Sequence, residues 1–332
     1  MCIRDSTEAA EAYEKAAFYW GKVGETASQN GAYSEAEKNL LHGIELLKKL
    51  PEVQSTLKKK IELLVLLGSV RITTHGQTAD TVRDLYLEAQ IIAEKIEEDI
   101  PHKAIVAFGL SAYHFFSGSL TNTQKFALDA LEIARRMKDE QSQIQAHLML
   151  ANSSFWMGDF KKERLHVEEI WQLYKHENFE RHLSHFAQNP KITSAIGEVW
   201  AQCLLGYPDQ AMALSEETML FATEMNHQYS IAMCYQIKAF MHYLRKEPSE
   251  AEKYGKRLIQ ISKDEGFPMF ISMGQSIIGW SVAVQGDFEA GIVQIQSGLD
   301  LWGQLKAKLG TCLLYTSPSP RDATLSRMPS SA

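Results

Sequence analysis

Leu204-Leu205-Gly206-Tyr207-Pro208-Asp209-Gln210-Ala211 decides the fold of this chain. A helical stripe ends at the two leucines. Gly206 suits the left-handed residue that closes a helix and reverses the chain, and Pro208 suits the start of the next helix. Ala211 is small enough to let two helix backbones approach. The same punctuation recurs at Gly31-Ala32-Tyr33 with Ala36, at Gly118-Ser119-Leu120, at Gly158-Asp159-Phe160 and at Gly286-Asp287-Phe288. A glycine-less form, Lys246-Glu247-Pro248, is followed by Ala251. Successive turns lie about 40 residues apart, a period that marks a solenoid rather than a closed domain. The aromatic after each glycine, as in Tyr33, Phe160, Tyr207 and Phe288, is placed to pack back between the paired helices.

Between the turns, apolar residues fall at helical spacing. Ile144, Leu148, Ala151 and Phe155 form one stripe before the Gly158 turn, and Phe160, Val167, Trp171 and Tyr174 form another after it. Cys234, Ile237, Met241 and Leu244 precede the Pro248 turn. Prolines fall between stripes, where they begin or end helices, and no strand-period segment of useful length appears. The expected fold is all-α: a tetratricopeptide-like (TPR-like) α-solenoid, a right-handed superhelix of about seven antiparallel helix pairs. The pairs read as roughly 7–50, 55–97, 101–138, 140–178, 192–226, 228–265 and 268–307. The stretch 175–191 is the longest irregular connection.

The two ends of the chain read differently. Met1–Ser6 back-translates to a DNA string whose reverse complement, shifted in frame, encodes Cys312-Leu313-Leu314-Tyr315-Thr316. Both ends resemble the mosaic end of a transposase used to build sequencing libraries, and Ser317–Asp322 and Ser326–Ala332 resemble the adapter that follows it. Residues 1–6 and 312–332 are therefore expected to be adapter-derived, with 312–332 disordered. Such segments are set aside in reasoning about the fold. The repeat array then occupies 7–311, as a fragment.

The chain carries 34 basic and 41 acidic residues, net −7. Lys58-Lys59-Lys60 is flanked by Glu52 and Glu62 and reads as a solvated helix face, so no nucleic-acid partner is expected. No apolar run reaches the roughly 18–20 residues needed to cross a bilayer, and no membrane partner is expected. Of four cysteines, Cys2 and Cys312 fall in the terminal segments. Cys203 and Cys234 lie in apolar helical patterns, where a free cysteine acts as a small hydrophobe. That usage points to a reducing compartment, here the cytoplasm.

No catalytic, cofactor or metal residue is expected. His176, His182 and His185 with Glu177 and Glu180 form the densest polar cluster, but their spacing matches no structural zinc pattern. A solvated inter-repeat loop explains them better. His147 and His166 read as hydrogen-bonding groups across a helix pair. Gly21-Lys22 and Gly24 lack the spacing of a phosphate loop and the strand before it, so they read as close-packing points in a helix. Asp159, Asp209 and Asp287 sit where turn or helix-cap roles account for them. The tryptophans lie mostly on apolar stripes.

A more specific resemblance rests on longer words. They are Phe18-Tyr19-Trp20-Gly21-Lys22-Val23-Gly24-Glu25-Thr26-Ala27, then Glu35-Ala36 and Gly43-Ile44-Glu45-Leu46-Leu47 ending at Leu50-Pro51-Glu52, Ala146-His147 with Phe155-Trp156-Met157-Gly158, His166 with Tyr174, and Leu204 to Ala211. Glu265-Gly266-Phe267-Pro268 with Gly279-Trp280 and Gln285-Gly286 completes the set. In order, they resemble the C-terminal TPR-like repeat region of bacterial multidomain signalling ATPases, often fused to class III adenylate or guanylate cyclase domains. The resemblance covers 8–310. It departs at Gln188-Asn189-Pro190, where that family shows Asp before Pro.

The resemblance implies a non-catalytic interaction and regulatory module. Its partner would be a protein or the upstream ATPase domain of the same chain. A ligand-sensing solenoid that takes a small-molecule effector is the competing expectation, because groove and core residues cannot be separated in the sequence. An all-helical enzyme such as an α/α toroid would need acids or a metal cluster focused at one set of helix ends, and the acids show no such focus.

Overall fold

The computed structural model describes the backbone of residues 2–29, 32–75, 79–96, 100–175 and 189–305, and their side chains apart from 2–11, 29, 73 and 100. The described residues form fourteen α-helices and no strand. They are α1 (Cys2–Gln29), α2 (Tyr33–Leu47), α3 (Gln54–His75), α4 (Asp80–Lys95), α5 (Ile100–Phe116), α6 (Leu120–Met137) and α7 (Glu140–Trp156). The remainder are α8 (Phe160–Leu173), α9 (Pro190–Leu204), α10 (Pro208–Glu224), α11 (Gln228–Leu244), α12 (Pro248–Glu265), α13 (Pro268–Val284) and α14 (Phe288–Gln304). The chain divides into two compact units, 1–149 and 150–332, with the division inside α7.

The turns account for the pairing. At the end of α9, Gly206 adopts φ 87, its N–H reaches Cys203 O at 3.2 Å, and the Tyr207 N–H reaches Gln202 O at 2.8 Å. These two bonds make a Schellman motif, which satisfies the last carbonyls of the helix and needs a left-handed residue at its centre. The same pair of bonds closes α5, α7 and α13 around Gly118, Gly158 and Gly286. Lys246 holds the equivalent place after α11 with φ 60, so the glycine-less turn keeps the geometry. The next helix starts within two residues and is forced back along the first. Gly31 lies outside the described residues.

The two helices of a pair are buried differently. In the second unit α9 packs on α8, α10 and α11, and α11 packs on α10, α12 and α13. These first helices are enclosed and buried nearly all round. Each second helix buries one stripe with spacing four, three, four: Ala211, Ser215, Thr218 and Ala222 in α10; Ala251, Gly255, Leu258 and Ser262 in α12; Gly291, Ile295, Gly298 and Trp302 in α14. One face of an α-helix gives this spacing. The first unit repeats it with Ala36, Leu40, Gly43 and Leu47 in α2, and with Thr123, Ala127, Ala130 and Ala134 in α6. Its core runs from Leu40 through Ile61, Leu64 and Leu67 to Leu110. Burying each such side chain contributes about 1.5–3 kcal/mol.

Two of the turn aromatics depart from expectation. Tyr207 is 52% exposed and Phe288 is 45% exposed. The contact between paired helices is made instead by the small residue five places after the turn glycine. That leaves no room for a ring beside it, and the aromatic at the helix start faces outward. Phe160 does turn inward, with its ring 5.7 Å from that of Phe155.

Candidate functional site

Most of the buried polar groups of the second unit lie on its otherwise apolar first helices. On α9, Glu198 is 4% exposed. It accepts hydrogen bonds from Arg164 of α8 at 2.7 and 3.1 Å and from Gln202 at 2.7 Å. On α11, Lys238 is 3% exposed. It pairs with Glu216 of α10 and lies 5.3 Å from the ring centre of Tyr254 in α12. One turn on, the His242 ring stacks on Tyr254 at 5.3 Å, and its Nδ1 lies 2.6 Å from Glu247. Glu247 also accepts from Arg245 at 3.0 Å, and the Arg245 and His242 bonds hold its carboxyl below the usual carboxylate range.

This seam is a row of ion-paired and hydrogen-bonded side chains in which the deeper partner belongs to a first helix and the shallower one to a second helix or turn. Lys238 shows the logic. Its ammonium is buried, which is costly without an anion, and its partner Glu216 is largely exposed. An incoming carboxylate can take the place of Glu216 without leaving the lysine unpaired.

A recess of about 220 Å³ lies between α8, α9 and α10, lined by Trp171, Tyr174, Lys191, Leu214, Glu217 and Phe221 among others. Trp171 donates its indole N–H to Ser194 Oγ at 3.0 Å. The Lys191 ammonium stands 4.9 Å from the Phe221 ring centre and 3.6 Å from Glu217. Asn189, where the resembling family carries aspartate, caps α9. Its Oδ1 accepts from the N–H groups of Lys191 and Ile192 at 2.9 and 3.3 Å, while its Nδ2 donates to the Tyr174 hydroxyl at 2.8 Å. The amide thus does the capping a carboxylate would do, and adds a donor that a carboxylate lacks.

The other residues singled out in the sequence fall as follows. Ala36, Ala211 and Ala251 are wholly buried at the paired-helix contacts. Tyr33 is half-buried against the core of the first unit. Asp159 and Asp287 cap α8 and α14 through the N–H groups of Lys162 and Ala290, whereas Asp209 lies in the first turn of α10 behind the Tyr207 cap. Gly21 and Gly24 pack against Leu63 and Leu40. His147 is buried in α7. The cluster of His176, His182, His185, Glu177 and Glu180 lies outside the described residues. Among the described residues no group of three or more His, Cys, Asp or Glu is arranged to hold a metal ion. Burial pushes the Cys234 thiol up to about 12 and the Cys203 thiol above its ordinary value, which leaves both poor nucleophiles.

One buried group escaped the sequence reading. Glu163 of α8 is 1% exposed. It stands five residues after Gly158, as Ala211 stands after Gly206, Gly291 after Gly286 and Ala251 after Lys246. Aligning the turns would have exposed a carboxylate at a small-residue position.

No family model matches the chain. An uncharacterized protein of Rhizobium meliloti (strain 1021) is 20% identical over 314 residues, 92% of this chain. The chain spans 30% of that relative's length. Among solved structures, the apo form of RapI has a TM-score of 0.69 at 10% identity, covering 87% of this chain and 98% of its own. NprR in complex with its cognate peptide NprX gives 0.58 at 12% identity, covering 97% and 88%. A signal transduction ATPase with numerous domains (STAND) from Pyrococcus horikoshii, which carries a tetratricopeptide repeat sensor, gives 0.58 at 16% identity, covering 92% of this chain and 44% of its own. At these identities the likenesses show the fold, a TPR-like helical solenoid. No described helix is long and apolar enough to cross a membrane.

Proposed function

We propose that this chain is a non-catalytic regulatory repeat module of a larger bacterial signal-transduction ATPase, in the cytoplasm, and that the polar seam on α9 and α11 receives a peptide or protein segment. The carrying observation is the buried Lys238 paired with the exposed Glu216, a cation held ready for a carboxylate from outside. The solved repeats of similar fold include one bound to a peptide and one that is the sensor of a STAND ATPase. The curated relative is more than three times as long as the aligned part, which suits a module joined to further domains. A cyclase domain beside the ATPase follows from the family resemblance. The reverse-complementary ends support 7–311 as the repeat array, with 1–6 and 312–332 adapter-derived.

The test is a binding screen of the chain against peptide pools by thermal shift and fluorescence anisotropy. Saturable binding that weakens at least tenfold in Lys238→Ala supports the reading. Binding insensitive to Lys238 and Glu216, or ATP hydrolysis or cyclic AMP synthesis by the chain alone, contradicts it.

The recess beside Trp171 favours a second reading, a small effector that biases the attached ATPase. Three aromatic walls with Lys191 and Glu217 at the rim suit a compact ligand that is aromatic or zwitterionic. Ligand-dependent thermal stabilisation that is lost in Trp171→Ala, with the Lys238 seam intact, distinguishes it from the peptide reading.

A further inference from the structure

Besides α8 there are six second helices; in five of them the first buried place holds Ala36, Thr123, Ala211, Ala251 or Gly291, all small, and in α4 it holds the apolar Val82. In α8 that place is Glu163. Its carboxyl is accommodated because the facing helix α9 offers Gly197. A β-carbon there would lie 2.9 Å from Glu163 Oε1 and 3.7 Å from the β-carbon of Phe155. No N–H or O–H donor reaches either carboxyl oxygen of Glu163 among the described residues, and the neighbouring Glu198 carboxyl stands close enough to share a proton with it. The charged groups facing it are Glu198 from α9 and Arg164 from its own helix, and α7 contributes the apolar Phe155. Arg164 and Gln202 are already committed to Glu198, and Glu168 acts on Arg164 from further along α8.

A buried carboxyl in that setting tolerates the neutral form and not the anion. The Glu198 carboxyl stands beside it, its compensating cation is shared, and both side chains are almost wholly buried. We propose that Glu163 is a proton-operated lock on the α8–α9 contact, closed when the carboxyl is protonated and loosened when the proton passes to solvent. Burial first, and then the Glu198 charge, push its pKa up to about 8, which places the transition just above neutrality. Ionisation puts two carboxylates into one closed gap. The relief available is separation of α8 from α9, the helices that carry Arg164 and Glu198 and that line the Trp171 recess. Alkaline pH would thereby open the end of the seam.

The sign follows from linkage. A carboxyl whose folded pKa exceeds its unfolded value near 4.5 stabilises the fold fully below pH 4.5. That stabilisation declines as pH rises towards 8.

The test melts the full chain from pH 5 to pH 9.5 at constant ionic strength, as wild type, Glu163→Gln and Glu198→Gln. Wild type and Glu163→Gln should differ least at pH 5, where the wild-type unfolding constant is raised only about fourfold, and diverge above it. The unfolding constant of wild type relative to Glu163→Gln should rise about tenfold per pH unit between the two pKa values. At pH 9, hydrogen exchange in 160–173 and 190–204 should be several-fold faster in wild type than in Glu163→Gln, with 54–75 unchanged. Glu198→Gln, which removes the neighbouring charge, should move the transition to lower pH. Carboxyl ¹³C resonances of the wild type provide a readout that no variant's folding affects, and one glutamate should titrate near pH 8. Parallel melting profiles, equal exchange at pH 9, or every glutamate titrating in the ordinary range would each overturn the proposal.

Discussion

Substituting alanine at three glycines separates the two jobs that glycine does in this array. At Gly206 the φ of 87 is left-handed, and an added β-carbon meets nothing within 4 Å. Only the backbone penalty applies, about 1–2 kcal/mol. The stiffer unfolded chain returns part of it, for a net loss of about 1 kcal/mol. At Gly279, inside α13, the conformation is ordinary but the space is not. A β-carbon would stand 2.7 Å from Gly291 O, 2.7 Å from Ile295 Cγ1 and 2.8 Å from Ile295 N. Two of those atoms are backbone and cannot rotate away, so α13 and α14 must separate. Overpacking of this kind costs about 1–3 kcal/mol and sometimes more, set against roughly 1 kcal/mol of improved helix propensity. The backbone clash puts Gly279→Ala at the upper end, a net loss of about 2 kcal/mol. Gly303 is the control: a β-carbon there meets nothing within 4 Å, and its helical backbone favours alanine by up to about 0.5 kcal/mol so near the helix end. Urea unfolding followed by circular dichroism gives the three midpoints, with unchanged m showing that stability alone has moved. A cost of Gly279→Ala no greater than that of Gly206→Ala, or hydrogen exchange in 268–304 untouched by it, would refute the close-packing role of Gly279.

Other perturbations follow from named contacts. Arg164→Ala strips Glu198 of its cation beside Glu163; because the arginine is half exposed, the loss should be about 1–2 kcal/mol, below the range for fully buried pairs, and visible in the melting temperature. Asp287→Ala removes the cap of α14 and should cost about 1 kcal/mol, while Asp209→Ala, which removes no cap, should change the urea midpoint by less than half as much. Cys234, buried and with its thiol pushed up to about 12, should react with a thiol reagent only on unfolding, whereas the partly exposed Cys203 should react in the native chain at alkaline pH.

Most of the architecture was legible because it is written in local signals. The pair expected at 228–265 is found as Gln228–Leu244 and Pro248–Glu265, and that at 268–307 as Pro268–Val284 and Phe288–Gln304. A left-handed cap, a proline at the first helical position and a small residue at the crossing each act within one turn of helix, so one sequence suffices to see them. The seam was not legible. Glu198, Lys238 and His242 sit on helices whose apolar pattern predicts burial, and their partners Arg164, Glu216 and Glu247 come from other helices or turns. Nothing in the local pattern says which polar residue on an enclosed helix will find its counter-charge. Glu163 lay between these cases: its position in the repeat marks it for burial, yet a glutamate in the first turn of a helix also suits the helix dipole, and only Gly197 across the contact reveals which way it turns. The outward rings of Tyr207 and Phe288 were misjudged for the opposite reason, since the small residue beside each turn closes the gap that the ring was expected to fill.

The regulatory claim is tested most directly by ATP turnover of a signalling ATPase that carries this array, against the same protein cut before the array. The account predicts a turnover that changes several-fold when the array is removed and that no longer responds to the peptide or effector found by binding. Equal turnover and equal response in the two proteins, or finding the array encoded apart from any ATPase domain, would contradict it.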